Sequence, residues 1–548
     1  MEKKCIFNQR CLGIKIMIPM TNNFSSGGIH MNIEQLRKTL NERYNVSVTE
    51  NGAVGYRTSG KELVDLNFSI SSLRNMSENE VVNRFVKAFY ENKVLAVKWL
   101  FFARDVREGV GERRLFRICM RYLAENHEAI ARAVLSLIPE YGRYDDWFVF
   151  FGSSLENDMI EMIACQLSKD ISDMAENKPI SLLAKWMPSA NTSSEVAKER
   201  ARKIIQKLGI TERMYRKMLS ALRAYLKVVE VSMSKKEWES IDYSQVPSRA
   251  NLIYNGAFLR NDEARRRLYL EKLQKGEAKI NAGVLFPHDI VHKYGYRGRD
   301  DSALEEMWKA LPDYVKGAGN TICVADGSGS MCVKVGGTSV SALEVANALA
   351  IYFAERSSGK FKDFYITFSE RPQLVDLSKG ASLREKLEIA LRYSEVANTD
   401  IKAVFELILQ SAIENEMSQE DMPASILILS DMEFDGCIGV WDGSYEKGFW
   451  RDQIPRLVKP DEKFFEMIAG EYARYGYKLP RLVFWNIASR SGTIPVKEND
   501  LGVALVSGFS PAVMKMVLSN KIDPFECLLE QLSCERYDAV ERALAEIG

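Results

Sequence analysis

Thr321-Ile-Cys-Val-Ala-Asp326-Gly-Ser328-Gly-Ser330-Met331 and Ala424-Ser-Ile-Leu-Ile-Leu-Ser430-Asp431-Met-Glu433 are two short apolar runs, each ending in a carboxylate. Unbroken runs of this length, rich in Ile, Leu and Val, read as strands buried on both faces of a parallel sheet. Both acids then stand at the carboxyl ends of strands, where open α/β sheets bind their ligands. Between the two runs, Val396-Ala-Asn-Thr399-Asp400 offers a further hydroxyl ahead of the helical stretch Ile401–Ile413. Asp326, Ser328, Ser330, Thr399 and Asp431 together form a donor set of hard oxygens for a divalent cation, Mg²⁺ or Mn²⁺. Such an ion takes about six oxygens in a near-octahedral array. Gly327 and Gly329 let the two serine hydroxyls turn the same way, and the set leaves one position open for a carboxylate or phosphate from elsewhere. Alone, the Gly-Ser pentapeptide would equally suit a flexible loop, and its strand context argues against that.

Working outward, strands alternate with helices. Ser341–Arg356 reads as a helix, Phe364–Ser369 as a strand, Arg371–Leu377 as an edge strand and Leu383–Tyr393 as a helix. Lys463–Tyr475 is helical, Arg481–Ile487 and Gly502–Val506 are strands, and Pro511–Leu518 is a helix opened by proline. This alternation predicts a doubly wound α/β sheet. Two enzyme readings of the first loop fail. A nucleophile elbow needs glycine where Asp326 stands, and a dinucleotide fingerprint needs its third glycine where Cys332 stands.

Asp326-x-Ser328-x-Ser330, then Thr399, then Asp431, resembles the metal-ion-dependent adhesion site of von Willebrand factor type A domains. The resemblance covers residues 316–520. It implies capture of a protein ligand through the metal, the ligand donating a carboxylate, and a domain that is usually not catalytic.

At 548 residues, with 46% hydrophobic and 27% charged residues, the chain has the composition of a multidomain globular protein. It has no uninterrupted apolar stretch of transmembrane length, so no membrane partner is expected. Residues 1–44 read as an extension, poorly ordered over residues 1–30, with Met31 as an alternative start; Lys15 interrupts the only signal-like patch. Nine cysteines without a Cys-x-x-Cys pair point to reduced thiols in a cytoplasmic protein. His288 and His292 are four apart, but Pro287 and the irregular surroundings argue against a zinc site.

Residues 45–315 read as an all-α helical-repeat domain ahead of the sheet, and 521–548 as a C-terminal helical tail. Val81–Phe102, Leu115–Glu125, His127–Leu137, Ala197–Leu208, Arg213–Val229 and Asp262–Gln274 each carry apolar residues at three- and four-residue steps. Residues 51–300 hold 41 Lys and Arg against 32 Asp and Glu, whereas residues 301–548 hold 26 against 38. A basic half joined to an acidic half favours nucleic acid, or the two halves holding each other.

Several phrases in this half are distinctive: Phe101–Arg113, Tyr141–Trp147, Lys185–Ser189, Tyr215–Arg223 and Val246–Ser248. With the metal loop they resemble domain-of-unknown-function family 2828 across residues 45–520. That family is similar in architecture to the Ro ribonucleoprotein, in which a ring of helical repeats carries an A domain. Fold analogy does not assign function, so the sites must. Arg104, Arg107, Arg113 and Arg114 flank the Gly109–Gly111 turn. They would suit phosphate if exposed, but pairing of Arg104 and Arg107 with Asp105, Glu108, Glu112 or the Asp145/Asp146 pair is favoured. Arg213, Tyr215, Arg216, Lys217, Arg223 and Lys227 are the candidate RNA-binding residues, with Tyr215 and Tyr225 as stacking platforms for single-stranded or structured RNA. A helix that packs its tyrosines inward would look the same. The leading expectation is a non-enzymatic scaffold that binds RNA through its helices and a protein through its metal. The alternatives are a protein-binding scaffold without RNA and, weakest, a metal-dependent hydrolase.

Overall fold

Asn92 decides where the first long helix stops. Its extended backbone (φ −155°, ψ 107°) breaks the predicted Val81–Phe102 helix in two, and its side chain accepts from Leu95 N–H to start the second. Asparagine's side chain competes with the backbone ladder in this way, so apolar spacing alone runs straight across the break. The computed structural model describes residues 45–48, 54–295, 302–317, 319–394, 400–432, 441–447, 453–457, 462–489, 504–518 and 523–547.

A short hairpin, β1 (Val46–Val48) and β2 (Val54–Tyr56), precedes the helices. The helical region runs α1 (Glu62–Phe68), α2 (Ile70–Leu73), α3 (Glu78–Glu91), α4 (Lys93–Arg104), α5 (Arg113–Asn126), α6 (Glu128–Val134), α7 (Ile138–Tyr141) and α8 (Glu156–Ala175). It continues with α9 (Leu183–Trp186), α10 (Glu195–Leu208), α11 (Glu212–Tyr225), α12 (Val229–Lys235), α13 (Ser248–Asn261), α14 (Glu263–Gln274), α15 (Pro287–Tyr294) and α16 (Ser302–Lys309). The surroundings of Pro287 are thus helical rather than irregular, because proline at the first helical position loses no needed N–H.

The α/β part follows as β3 (Thr321–Asp326), α17 (Ala342–Arg356), β4 (Phe364–Phe368), β5 (Leu374–Asp376), α18 (Leu383–Arg392), α19 (Ile401–Glu414) and β6 (Ser425–Ser430). After a hairpin of β7 (Trp441–Lys447) and β8 (Gln453–Leu457) come α20 (Glu462–Arg474), β9 (Arg481–Asn486), β10 (Ala504–Ser507) and α21 (Met514–Leu518). The main sheet has the order β10-β9-β6-β3-β4-β5, parallel except for the antiparallel edge strand β5. Along β3 and β6 alternate residues enter two cores. Cys323, Ala325, Leu427 and Leu429 join α17 and the helical region, whereas Ile322, Val324, Ile426 and Ile428 join α19 and α20.

One apolar core therefore runs from the helices into one face of the sheet. Helix α17 lies between them, against β3 on one side and α15 on the other, and is buried from Ala342 to Ala354. At the β10 edge, Ser71 of α2 donates to the Asn486 carbonyl (2.8 Å), and Asn486 Nδ2 donates to the Phe68 carbonyl (2.9 Å). The last helices, α22 (Pro524–Leu532) and α23 (Asp538–Ala545), return to pack on α4, and α23 also meets α6.

Candidate metal centre

The strand order turns at the β3–β6 seam: the chain leaves β3 for β4 on one side and comes back to β6 on the other. Ala325 pairs with Leu429, so Asp326, the last residue of β3, emerges beside Ser430 and Asp431. Such a switch point leaves a crevice at the strand ends. Asp326 and Asp431 are each only 1% exposed, which makes them a buried acid pair. Asp326 accepts from the Ser328 N–H through one oxygen (2.9 Å) and from the Ser430 hydroxyl through the other (2.7 Å). The hydroxyls of Ser328 and Ser330 lie 2.9 Å apart, turned together by the Gly329–Cys332 turn.

Burial, reinforced by the charge of Asp431, pushes the Asp326 carboxyl up to about 6. Two acids withdrawn from water side by side raise each other's cost of ionisation, and a divalent cation removes that cost. Every donor here is a hard oxygen, which fits Mg²⁺ or Mn²⁺ rather than a thiolate-seeking metal. Among the described residues no group of three or more His, Cys, Asp or Glu gathers, so hydroxyls have to complete the set. Thr399 lies outside the described residues. Ser430, which the sequence reading passed over, is held to Asp326 here; its signal was its place at a strand end immediately before Asp431.

The loop that follows β3 is tied to the helical region. After the Gly329–Cys332 turn the chain folds back, with Val335 N–H donating to the Val340 carbonyl. At the tip, Ser339 Oγ meets His292 Nε2 of α15 (2.8 Å), while His292 Nδ1 meets Glu344 Oε1 (2.9 Å). Glu344 also closes the capping box that starts α17. His288 stays apart from this contact. It is buried against Phe286 and Phe509, its Nδ1 has no hydrogen-bond partner among the described residues, and burial pushes it down to about 4.

The candidate RNA-binding residues divide. Arg213, Arg216, Lys217 and Lys227 are exposed and make no ion pair among the described residues. Tyr215 has to be corrected: it is fully buried, on the face that carries Leu219 and Leu222, and its hydroxyl donates to the Pro188 carbonyl (2.9 Å). A ring inside the core offers no face to a base. Arg223 is corrected as well. Its guanidinium donates to the carbonyls of Ala184 and Met187 (2.8 Å each), closing the end of α9. Tyr225 donates to the Lys178 carbonyl (2.9 Å).

Residues 49–139 and 150–320 match a domain of unknown function, DUF2828, and residues 320–541 match another, DUF7788. The chain is 31% identical over 528 residues to uncharacterized protein L728 of Acanthamoeba polyphaga mimivirus, covering 89% of this chain and 87% of that one. The chain belongs to the DUF2828 family. Among solved structures it is similar to the RO (RSR) protein of Deinococcus radiodurans, with a TM-score of 0.44 and 14% identity, over 83% of this chain and 98% of that one.

In this DUF2828 chain the phrases that carry the resemblance are joints. Within Phe101–Arg113, a Cβ on Gly109 would overlap the Phe102 carbonyl oxygen, so the chain closes on itself there only with glycine. Arg104 pairs with Asp146 (2.7 Å) and Arg107 donates to the Glu140 carbonyl (3.1 Å). Arg114 holds the carbonyls of Leu73 and Met76. In Val246–Ser248, the Val246 carbonyl accepts from both Asn251 and Asn281 (3.0 Å each).

Proposed function

We propose that this protein is a non-enzymatic scaffold in which Asp326, Asp431, Ser328 and Ser330 hold a divalent cation that captures a carboxylate from a protein partner. The observation that carries this reading is the convergence of two buried carboxylates and two paired hydroxyls at the switch point of the sheet. The cation would supply Lewis-acid attraction for an incoming carboxylate; the chain's own residues fix its position and neutralise its charge. Among the described residues the strand ends at Asp326 and Asp431 offer no imidazole or lysine to serve as a base, which disfavours hydrolysis there. Partner capture on the full-length protein tests the idea. Retention should be lost with a chelator or in Asp431→Ala and restored to the wild type by Mg²⁺ or Mn²⁺. Equal retention with and without chelator would defeat it.

RNA binding through the helical region is the second limb of the reading. It is favoured by Arg213, Arg216 and Lys217, which share the exposed face of α11 without internal counter-ions. Charge reversal at Arg213, Arg216 and Lys217 should weaken single-stranded RNA of any sequence alike, and the weakening should shrink as salt rises.

A further inference from the structure

Five guanidinium groups crowd around two carboxylates where α5, the segment 143–150 and α10 meet. Arg117 on α5 bonds both Asp146 (2.6 Å) and Asp145 (2.9 Å), and Arg143 bonds Asp145 through two nitrogens (2.9 and 2.8 Å). Arg104 takes the remaining Asp146 oxygen from inside. Those three arginines use up the two acids. Arg113, one helical turn before Arg117, and Arg200 of α10 face the same cluster and have no carboxylate of their own among the described residues. Burial, and then the neighbouring charges of Arg143 and Arg117, holds Arg113 below the ordinary guanidinium value. Burial and Arg117 do the same to Arg200.

Aromatic rings hold two of these groups in place. Arg200 lies 5.5 Å from the ring centres of Phe148 and Phe151, and Arg143 stacks at 4.0 Å on Trp186. Arg113 is the first residue of α5, whose N-terminus has no side-chain cap and no acid in its first turn. Cations are unfavourable at the positive end of a helix dipole, so this end adds to the surplus. A cluster in which guanidiniums outnumber its two acids by three, and in which Arg113 and Arg200 make no ion pair among the described residues, attracts an external anion.

We propose that Arg113 and Arg200, oriented by Arg117 and Arg143, form an oxyanion site that takes a phosphate group. Planar forks match the phosphate oxygens in pairs, and the stacked rings keep the guanidiniums ordered before the ligand arrives. The site is separate from the strand ends at Asp326 and Asp431 and from the exposed face of α11. Nothing in it depends on the scaffold reading.

Calorimetry of the full-length protein with tripolyphosphate tests the proposal, with a single-stranded RNA oligonucleotide as competitor. The double variant Arg113→Ala/Arg200→Ala should weaken tripolyphosphate by about tenfold or more, the loss expected for charged hydrogen bonds. Lys272→Ala/Lys275→Ala, two exposed cations at the end of α14, should leave it unchanged. Neither Arg113 nor Arg200 makes an ion pair among the described residues, and both feel like charges, so a melting temperature at or above the wild type's will verify that the double variant still folds. Competition by the oligonucleotide would identify phosphodiesters as the source of the group, and absence of competition would identify free phosphates; both uphold the site. No tripolyphosphate binding by the wild type, or equal binding by the double variant, would overturn it.

Discussion

Asp326 is a carboxylate placed where it ionises reluctantly. Its group is raised in the folded metal-free protein from the usual carboxylate range to about 6. A raised acid favours the fold below its unfolded value and loses that contribution as pH climbs through about 6. Asp326→Asn should therefore stabilise the metal-free protein at pH 7–8 by on the order of 3 kcal/mol, while abolishing Mg²⁺ binding. Melting in chelator and in Mg²⁺ reads both effects, and a destabilised metal-free variant would count against the buried acid pair. In the wild type, Mg²⁺ affinity should fall about tenfold per pH unit below 6, because the ion competes with a proton. The acids and serines proposed for this site could be read because hard-cation chemistry dictates residue type and spacing. Ser430 could not, since a serine at the end of an apolar strand reads as a boundary until its neighbour across the seam is known.

At the scale of elements, apolar spacing located the helices but not their breaks. Asn92 splits one helix because its side chain serves the second as a cap. Helix α8 shows the same steps, with Met159, Ile160, Ile163 and Leu167 buried, yet it is absent from the helices read from the sequence. In α11 the spacing itself separates Tyr215, Leu219 and Leu222 from Arg213, Arg216 and Lys217, so burial of the tyrosine was written in the pattern. Helix α15 yields a prediction of its own. His288 is depressed to about 4, so it has no effect on stability above its unfolded value near 6.5 and costs stability as pH falls from there toward 4. His288→Phe, with Phe286 and Phe509 already around it, should remove this loss, which reaches about 3 kcal/mol. The stability difference between the two proteins, followed by denaturant unfolding from pH 7 to pH 4, should widen steadily. A constant difference would show that His288 is not the titrating group.

Across the whole molecule, the order of the strands and the return of the chain's end were beyond the reach of spacing, since both depend on contacts between distant segments. Asp105 is completely buried, and Arg536 reaches it at 2.7 Å from the turn before α23. Tyr537 stacks on Tyr141 (5.7 Å), and Glu541 meets the nearly buried Lys98 (2.6 Å). Arg536→Ala would strand the Asp105 charge and should cost about 3–5 kcal/mol. Because one apolar core spans helices and sheet, both should melt together at a lower temperature. A sheet that keeps its wild-type melting point while the helices soften would contradict that continuity. The same closure governs how the protein is made. Lys98 and Glu541 are 443 positions apart, so at about 5–20 residues per second the surface of α4 waits roughly 20 to 90 seconds on the ribosome for its cover. Throughout that interval a nascent chain displays an unfinished, sticky face, and a message cut short leaves it displayed for good. The cover of α4 is thus supplied late, and a chain cut back before α22 should bind a hydrophobic dye that the full-length protein excludes.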